Sequence, residues 1–195
     1  MKLIAEGAEA KIYLSDNKII KKRVSKKYRH KDLDISILKR RIKSEYKILI
    51  KSKDSGLNVP KVYDSNTDSI TMEYLKGGIK LSELLDDIEN KKLIKLLAIE
   101  IKKLHSFGII HGDLTTSNVF FLNNKIYLID FGLSKISDKI EDKATDIHLL
   151  KECLNSRHSL NYKKLWLNFI KEYNEPLILE RLRKIESRVR YNRIS

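Results

Sequence analysis

Three short bursts of apolar residues open the chain, LIAEG at 3–7, AKIYLS at 10–15 and NKIIKKRV at 17–24, with Asp16-Asn17 set between the second and the third. Runs of this length, rich in Ile and punctuated by turn formers, predict a meander of three strands. From 36 to 53 the period changes. Ile42, Tyr46, Leu49 and Ile50 recur at helical spacing until Asp54-Ser55-Gly56 stops the helix, and Val59-Pro60-Lys61-Val62-Tyr63 begins another strand. SITMEYL, Ser69 to Leu75, is a further strand, broken by Lys76-Gly77-Gly78. Beyond it the pattern turns helical: a short helix from Ser82 to Asp87, then a longer one whose Leu93, Leu96, Leu97, Ile101 and Leu104 make a wide apolar stripe. His105 closes that helix and reads as structural. Val119 to Leu122 and Ile126 to Leu128 flank Asn123-Asn124-Lys125 as a hairpin, since Asn tolerates the positive φ of a tight turn. After residue 133 there is room for two or three helices. Strands first and helices afterwards predict an α+β fold of two lobes: a β-sheet with one helix over about 1–75, and a mostly helical part over about 76–195.

Composition narrows the partners rather than the fold. The 195 residues suffice for one sizeable core or two small lobes, burying about 70% of the unfolded surface. A formal charge of +14 favours polyanions such as ATP, RNA or an acidic protein surface; a lysine-rich solvated surface is the plainer explanation. The single cysteine, Cys153, excludes an intrachain disulfide, fits a reducing compartment and reads as an inert core thiol. No long apolar run lacks charges and no signal-like segment follows Met1, so the expectation is a cytoplasmic protein with neither a membrane nor DNA as a partner. Two prolines, seven glycines and no repeat argue for one compact unit without a flexible linker.

The chemistry concentrates in HGDLTTSNVFFLNNKIYLIDFG, residues 111–132. A turn centred on Asn124 sets Asn118 opposite Asp130 at the open end of the hairpin, with Asp113 just upstream. Three oxygen-bearing side chains at one mouth suit a hard cation. In phosphoryl transfer one Asp orients the attacking hydroxyl or water while an Asn and a second Asp hold Mg²⁺ on the phosphates. The stretch resembles the HRDxxxxN and DFG segments of the protein-kinase superfamily. Here His111-Gly112-Asp113, Asn118 and Asp130-Phe131-Gly132 stand at those places.

That resemblance implies further residues. Gly7, Ala8, Glu9 and Ala10 occupy the turn where kinases place a glycine-rich phosphate loop, with alanines only partly keeping its freedom. Lys21 aligns with the lysine that pairs the α and β phosphates. Alternation along the strand, with Ile19, Lys21 and Arg23 on one face and Ile20, Lys22 and Val24 on the other, admits only one of the neighbouring lysines and is itself neutral between them. Glu45 beside the apolar face of the first helix is the implied partner of Lys21, and the main chain near Glu73 and Leu75 would bind adenine. Asp146 looks like a helix-start aspartate that braces the catalytic loop through backbone amides, or else a simple N-cap.

The chain also departs from ordinary protein kinases. Gly112 replaces the arginine that usually pairs with a phosphorylated loop, only residues 133–145 separate DFG from Asp146, and no APE signature follows. These absences predict a site that loop phosphorylation does not switch, and a C-lobe too small for a peptide-docking platform. Arg181, Arg183, Lys184, Arg188, Arg190, Tyr191 and Arg193, together with the basic run Lys22 to Lys31, suit RNA phosphates and bases; a solvated helix face with a frayed tail is the competing reading.

GAEAKIY, IIKKRVSKKYRH with KDLD, RRIKSEYKIL, HGDLTTSN, LIDFGLS, EDKATDIHLL and ESRVRYNR together resemble the small atypical, RIO-like kinase subunits of the KEOPS complex. The resemblance implies a single atypical kinase domain that uses ATP and Mg²⁺ as a serine/threonine kinase and ATPase. Such a subunit supports threonylcarbamoyl adenosine formation in tRNA, beside the threonylcarbamoyl-transferase subunit and other KEOPS subunits, and is sometimes fused to the transferase. KDLD stands where relatives often have PELD. Two rivals share parts of the pattern: a small-molecule phosphotransferase of the aminoglycoside or choline kinase type, and a non-catalytic tRNA-binding scaffold with a nucleotide clamp.

Overall fold

The computed structural model describes residues 1–25, 30–85 and 91–191, without the side chains of Lys31 and of 189–191. Part of the predicted basic run, Asp87 of the predicted short helix, and the side chains of Arg190, Tyr191 and Arg193 lie outside it. The chain divides into two compact units, Met1–Lys76 and Gly77–Ser195.

The first unit is a five-stranded antiparallel sheet with one helix. Strands β1 (Lys2–Glu6), β2 (Ala10–Ser15) and β3 (Lys18–Arg23) form the meander, helix α1 spans Lys31–Asp54, and β4 (Val62–Ser65) and β5 (Ser69–Glu73) complete the spatial order β1-β2-β3-β5-β4. Asp16 and Asn17 both take positive φ, 50° and 58°, in the two-residue connection whose twist suits a β-hairpin. α1 is longer at its start than periodicity suggested. Acidic Asp32 and Asp34 in its first turn and basic Lys51 and Lys53 in its last complement the helix dipole, a local effect that apolar spacing does not register. Ile42, Ile48 and Leu49 of α1 are buried, as are Leu57, Val59, Val62, Ile70 and Met72, and α1 packs on β4 and β5. Each such side chain contributes about 1.5–3 kcal/mol relative to exposure. The strand expected from Val59 begins only at Val62, after Pro60, which has no N–H for a ladder. The strand expected to reach Leu75 ends at Glu73.

The second unit is mostly helical. It contains β6 (Ile79–Lys80), α2 (Leu81–Leu84), α3 (Lys91–Ser106), β7 (Ile109–Ile110), a 3₁₀ turn (Thr116–Asn118), β8 (Val119–Leu122) and β9 (Lys125–Leu128). β10 (Lys135–Ile136), α4 (Ile140–Arg157), α5 (Tyr162–Tyr173) and α6 (Pro176–Tyr191) follow. β6-β8-β9 and β7-β10 are two small antiparallel sheets. The stripe of α3 is buried at Leu93, Leu97, Ile101 and Leu104, along with Ile94 and Ala98, and α3 packs on α5 while α4 packs on α6. Asn174, at φ 40°, ends α5 in the left-handed region, and Pro176 opens α6 where a missing N–H costs nothing. No helix among the described residues is long and apolar enough to cross a membrane.

Two expectations are corrected. β8 and β9 pair Val119 with Leu128 and Leu122 with Lys125, so the loop is the two residues Asn123 and Asn124, at φ 50° and 60°. The hairpin register is therefore one residue away from the predicted one: Asn118 faces Ile129, whose N–H donates to the Asn118 carbonyl at 3.0 Å, and Asp130 lies one residue further on. A type I′ loop needs both central residues in the left-handed region, and two asparagines satisfy it better than one. Asp146 is also not at a helix start. α4 begins at Ile140, which places Asp146 in its second turn and excludes the N-cap role.

Candidate active site

In the first unit, strand alternation separates the two neighbouring lysines. Lys21 and Arg23 point to the buried face of β3, at 6% relative exposure each, while Lys22 is exposed and sits 3.4 Å from Asp68. Glu45, 1% exposed on the inward side of α1, receives both buried cations: Lys21 Nζ donates to Oε1 at 2.6 Å and Arg23 Nη2 donates to Oε2 at 2.6 Å. The lysine–glutamate pair implied by the resemblance is thus formed, and an arginine shares it. Sequence reasoning assigned Arg23 to the Lys21 face but gave it no part in the site. That shared face was the signal available.

Gly7 to Ala10 form the β1–β2 turn, closed by the Gly7 N–H donating to the Ala10 carbonyl at 2.9 Å. A Cβ at Gly7 would meet only that oxygen, at an ordinary 3.7 Å, so no crowding there requires a glycine. Glu9 is tied to α1 by Arg41, whose Nη1 donates to Oε2 at 2.7 Å. Glu73 ends β5, where its N–H donates to the Lys61 carbonyl at 2.8 Å and its carboxylate accepts the Lys61 N–H at 3.0 Å. Leu75 is buried just before the boundary of the unit.

In the second unit, the loop between β7 and β8 is built on hydrogen bonds to its own main chain. Asn118 Nδ2 donates to both the carbonyl and the Oδ2 of Asp113, each at 2.9 Å. With both amide hydrogens committed, the Asn118 Oδ1 is the atom that can face a cation. His111 is fully buried; its Nε2 bonds the Ile129 carbonyl at 3.0 Å and its Nδ1 accepts the Asp113 N–H at 3.3 Å, which defines the Nε2–H tautomer. The His111 ring also lies against Phe131, with centroids 4.9 Å apart. Asp130 is exposed, has φ 61°, and accepts the Gly132 N–H at 3.2 Å through Oδ1. A non-glycine residue in the left-handed region is uncommon and often marks a functional position.

Asp146 braces this loop from α4. Its Oδ2 accepts the His111 N–H at 2.7 Å and its Oδ1 accepts the Gly112 N–H at 2.8 Å. His105 Nε2 lies 3.1 Å from Oδ2, and His105 Nδ1 is 2.7 Å from the Tyr173 hydroxyl. Burial alone would raise the Asp146 carboxyl, but the hydrogen bond and charge of His105, with His111, outweigh it and hold the group below the ordinary carboxylate range. Burial pushes the Tyr173 hydroxyl well above its usual range. His105 is structural, as expected, although it bridges α4 and α5 rather than capping α3; nothing in the sequence near Tyr173 pointed to its part. Cys153 is half-buried, and the Thr116 N–H reaches its Sγ at 3.5 Å.

Gly112 is held by sterics. It has φ 79°, and a Cβ would come within 2.3 Å of the Leu133 carbonyl oxygen. The segment after Asp130-Phe131-Gly132 is pinned against the same loop, with Lys135 paired to Ile110, Ile136 to Ile109, and the Ser137 N–H donating to the Gly108 carbonyl at 2.8 Å. Among the described residues, no three His, Cys, Asp or Glu side chains form a metal cage. The Asn118 Oδ1 and the Asp130 carboxylate are oxygen atoms, the donor type that Mg²⁺ accepts when phosphates and water fill its other positions.

A lysine–glutamate pair joining a five-stranded antiparallel sheet to its helix, followed by an Asp-Asn loop, a short hairpin and Asp-Phe-Gly in a helical unit, defines a protein-kinase-like phosphotransferase fold. Solved aminoglycoside phosphotransferases share it: APH(2'')-Ib with ADP at TM-score 0.68, covering 94% of this chain and 80% of that one, and the gentamicin complex of APH(2")-IIa at 0.70, covering 95% and 80%. Both are 16% identical, a likeness of fold alone. The RIO domain family matches residues 9–155, and the chain belongs to that family, among its Bud32 kinases. The "KEOPS complex subunit Bud32" of Pyrococcus abyssi is 39% identical over 98% of this chain and 96% of its own length. The "Probable serine/threonine-protein kinase BUD32 homolog" of Archaeoglobus fulgidus is 35% identical, covering 95% of this chain and 94% of that protein. A "Probable bifunctional tRNA threonylcarbamoyladenosine biosynthesis protein" of Methanobrevibacter smithii is 40% identical over 97% of this chain, which spans only 36% of that protein.

Proposed function

We propose that residues 1–195 form one atypical kinase domain, an Mg·ATP-dependent serine/threonine kinase and ATPase of the cytoplasm. It serves a KEOPS complex in forming threonylcarbamoyl adenosine in tRNA, beside a threonylcarbamoyl-transferase subunit. Relatives that span nearly their whole length with this chain carry the kinase and KEOPS names, and the longer bifunctional relatives carry the tRNA modification. The observation that carries the catalytic part is the clamp of Asn118 on both the carbonyl and the carboxylate of Asp113.

In this reading Asp113 aligns a water or serine hydroxyl for attack on the γ-phosphate, held in place by Asn118 and, through the loop amides, by Asp146. Lys21, directed by Glu45, pairs the α and β phosphates, and the main chain of Gly7 to Ala10 approaches them. At Glu73 the N–H is already engaged by Lys61, so adenine contact there falls to the carbonyl, with the Leu75 main chain as the second partner. Asn118 and Asp130 would hold Mg²⁺, which neutralises phosphate charge. The short segment pinned by β10 and the glycine at position 112 support a site that is not switched by loop phosphorylation.

ATP hydrolysis and serine phosphorylation, measured with and without the transferase subunit and tRNA, test the assignment. Asp113→Ala should retain ATP binding and lose about 10²–10⁴ in turnover. Equal turnover by wild type and Asp113→Ala would remove the catalytic role.

A further inference from the structure

Glu45 does not belong to Lys21 alone. Both its oxygens are taken, each at 2.6 Å, by cations two residues apart on β3, and all three side chains are at least nine-tenths buried. A buried ion pair already sets desolvation against attraction, and a third buried charge adds to that cost. The Arg23 Nε is buried with no hydrogen-bond partner, so Arg23 is not fully satisfied where it stands. Packing alone would be served by an apolar residue at 23.

Arg23 also lies between two parts of the first unit. Its Nη1 is 4.0 Å from Glu9 Oε2, the oxygen that Arg41 of α1 holds at 2.7 Å, and its own N–H donates to the Asp68 carbonyl at 2.7 Å. The Val24 N–H that follows donates to the Glu9 carbonyl at 3.1 Å. One guanidinium therefore meets the helix glutamate on one side and the β1–β2 turn on the other.

We infer that Arg23 is a positioning residue for the nucleotide phosphates: it fixes Glu45, and through it the direction of Lys21, and sets the Gly7–Ala10 turn against α1. This inference rests on the nucleotide reading above and adds to it a residue that holds the lysine–glutamate pair in place.

The test measures the Kd of Mg·ATP by calorimetry, the KM for ATP, kcat and Tm for the full chain and for Arg23→Met, Arg23→Lys and Glu9→Gln. Loss of one charged hydrogen bond to Glu45 should weaken ATP binding about tenfold or more in Arg23→Met, with KM rising by more than kcat falls. Arg23→Lys, which keeps a cation beside Glu45, should recover most of the loss. Glu9→Gln should weaken binding by about two- to threefold, since it loosens only the turn. An Arg23→Met protein that melts lower yet binds Mg·ATP with the wild-type Kd, corrected for its folded fraction, would show a structural residue only and overturn the inference. If Arg23→Met does not fold, the Kd of Glu9→Gln decides: a wild-type value overturns it. Failure of the wild type itself to bind ATP would instead strike the nucleotide reading, and this role with it.

Discussion

The two units hold their acidic residues in opposite ways. Glu45 in the first unit faces two charged side chains, Lys21 and Arg23, at 2.6 Å each. Asp146 in the second faces two backbone N–H groups and one imidazole. Charge balances charge in the first case, so the site remains sensitive to any change of net charge. In the second, oriented dipoles do the holding, and Asp113, the catalytic residue of the proposed function, is held by the Asn118 amide rather than by a counter-ion. Under the proposed function, a residue that must direct a phosphate-binding cation is suited by the first arrangement, and a loop that must keep one carboxylate in one place is suited by the second.

Neutralising each acid without changing its shape is the sharpest way to probe this contrast. Glu45→Gln strands two buried cations and should lower stability by about 3–5 kcal/mol in urea unfolding. A loss below about 1 kcal/mol would show that the cations find other partners. Gly112→Ala should rank next, at about 2 kcal/mol or more, since a methyl group meets the Leu133 backbone and a left-handed φ adds about 1–2 kcal/mol. Unchanged stability with unchanged turnover would show that the Leu133 segment can move away.

Asp146→Asn presents amide hydrogens to one of the two backbone N–H groups and should cost about 1–3 kcal/mol. It should also change the acid limb. Because the folded carboxyl lies below its unfolded value, its contribution is present above the unfolded value of about 4 and is lost as pH falls through the folded one. A Tm series from pH 6 down to pH 2 should therefore fall less steeply for Asp146→Asn than for wild type; identical slopes would mean that other carboxylates set the acid limit. Tyr173→Phe, which keeps the ring stacked on Phe169 at 5.6 Å and removes only the hydroxyl beside His105, should show the smallest effect, about 1 kcal/mol.

Much of the first unit was legible because its information is local. Alternation placed Lys21 and Arg23 together, helical spacing put Glu45 beside the apolar face of α1, and Asp16-Asn17 announced a turn that the backbone makes at those two residues. The second unit was legible in kind but not in detail. HGD, Asn118 and DFG marked the loops of a kinase-like fold, while the hairpin register was misplaced by one residue because both Asn123 and Asn124, rather than Asn124 alone, form the reversal. Glycine at 112 looked like a missing arginine; in the folded chain it is the residue that lets the Leu133 carbonyl approach.

By itself, then, the amino-acid order determined the strands and helices, the choice of phosphotransfer chemistry and the set of polar side chains available for it, since periodicity and turn formation act within a few residues. Tertiary structure alone decided how those side chains are held. Arg23 shares Glu45, and His105 and Tyr173 stand behind Asp146, because packing brings together residues 22, 41 and 68 positions apart whose mutual distances no local pattern encodes.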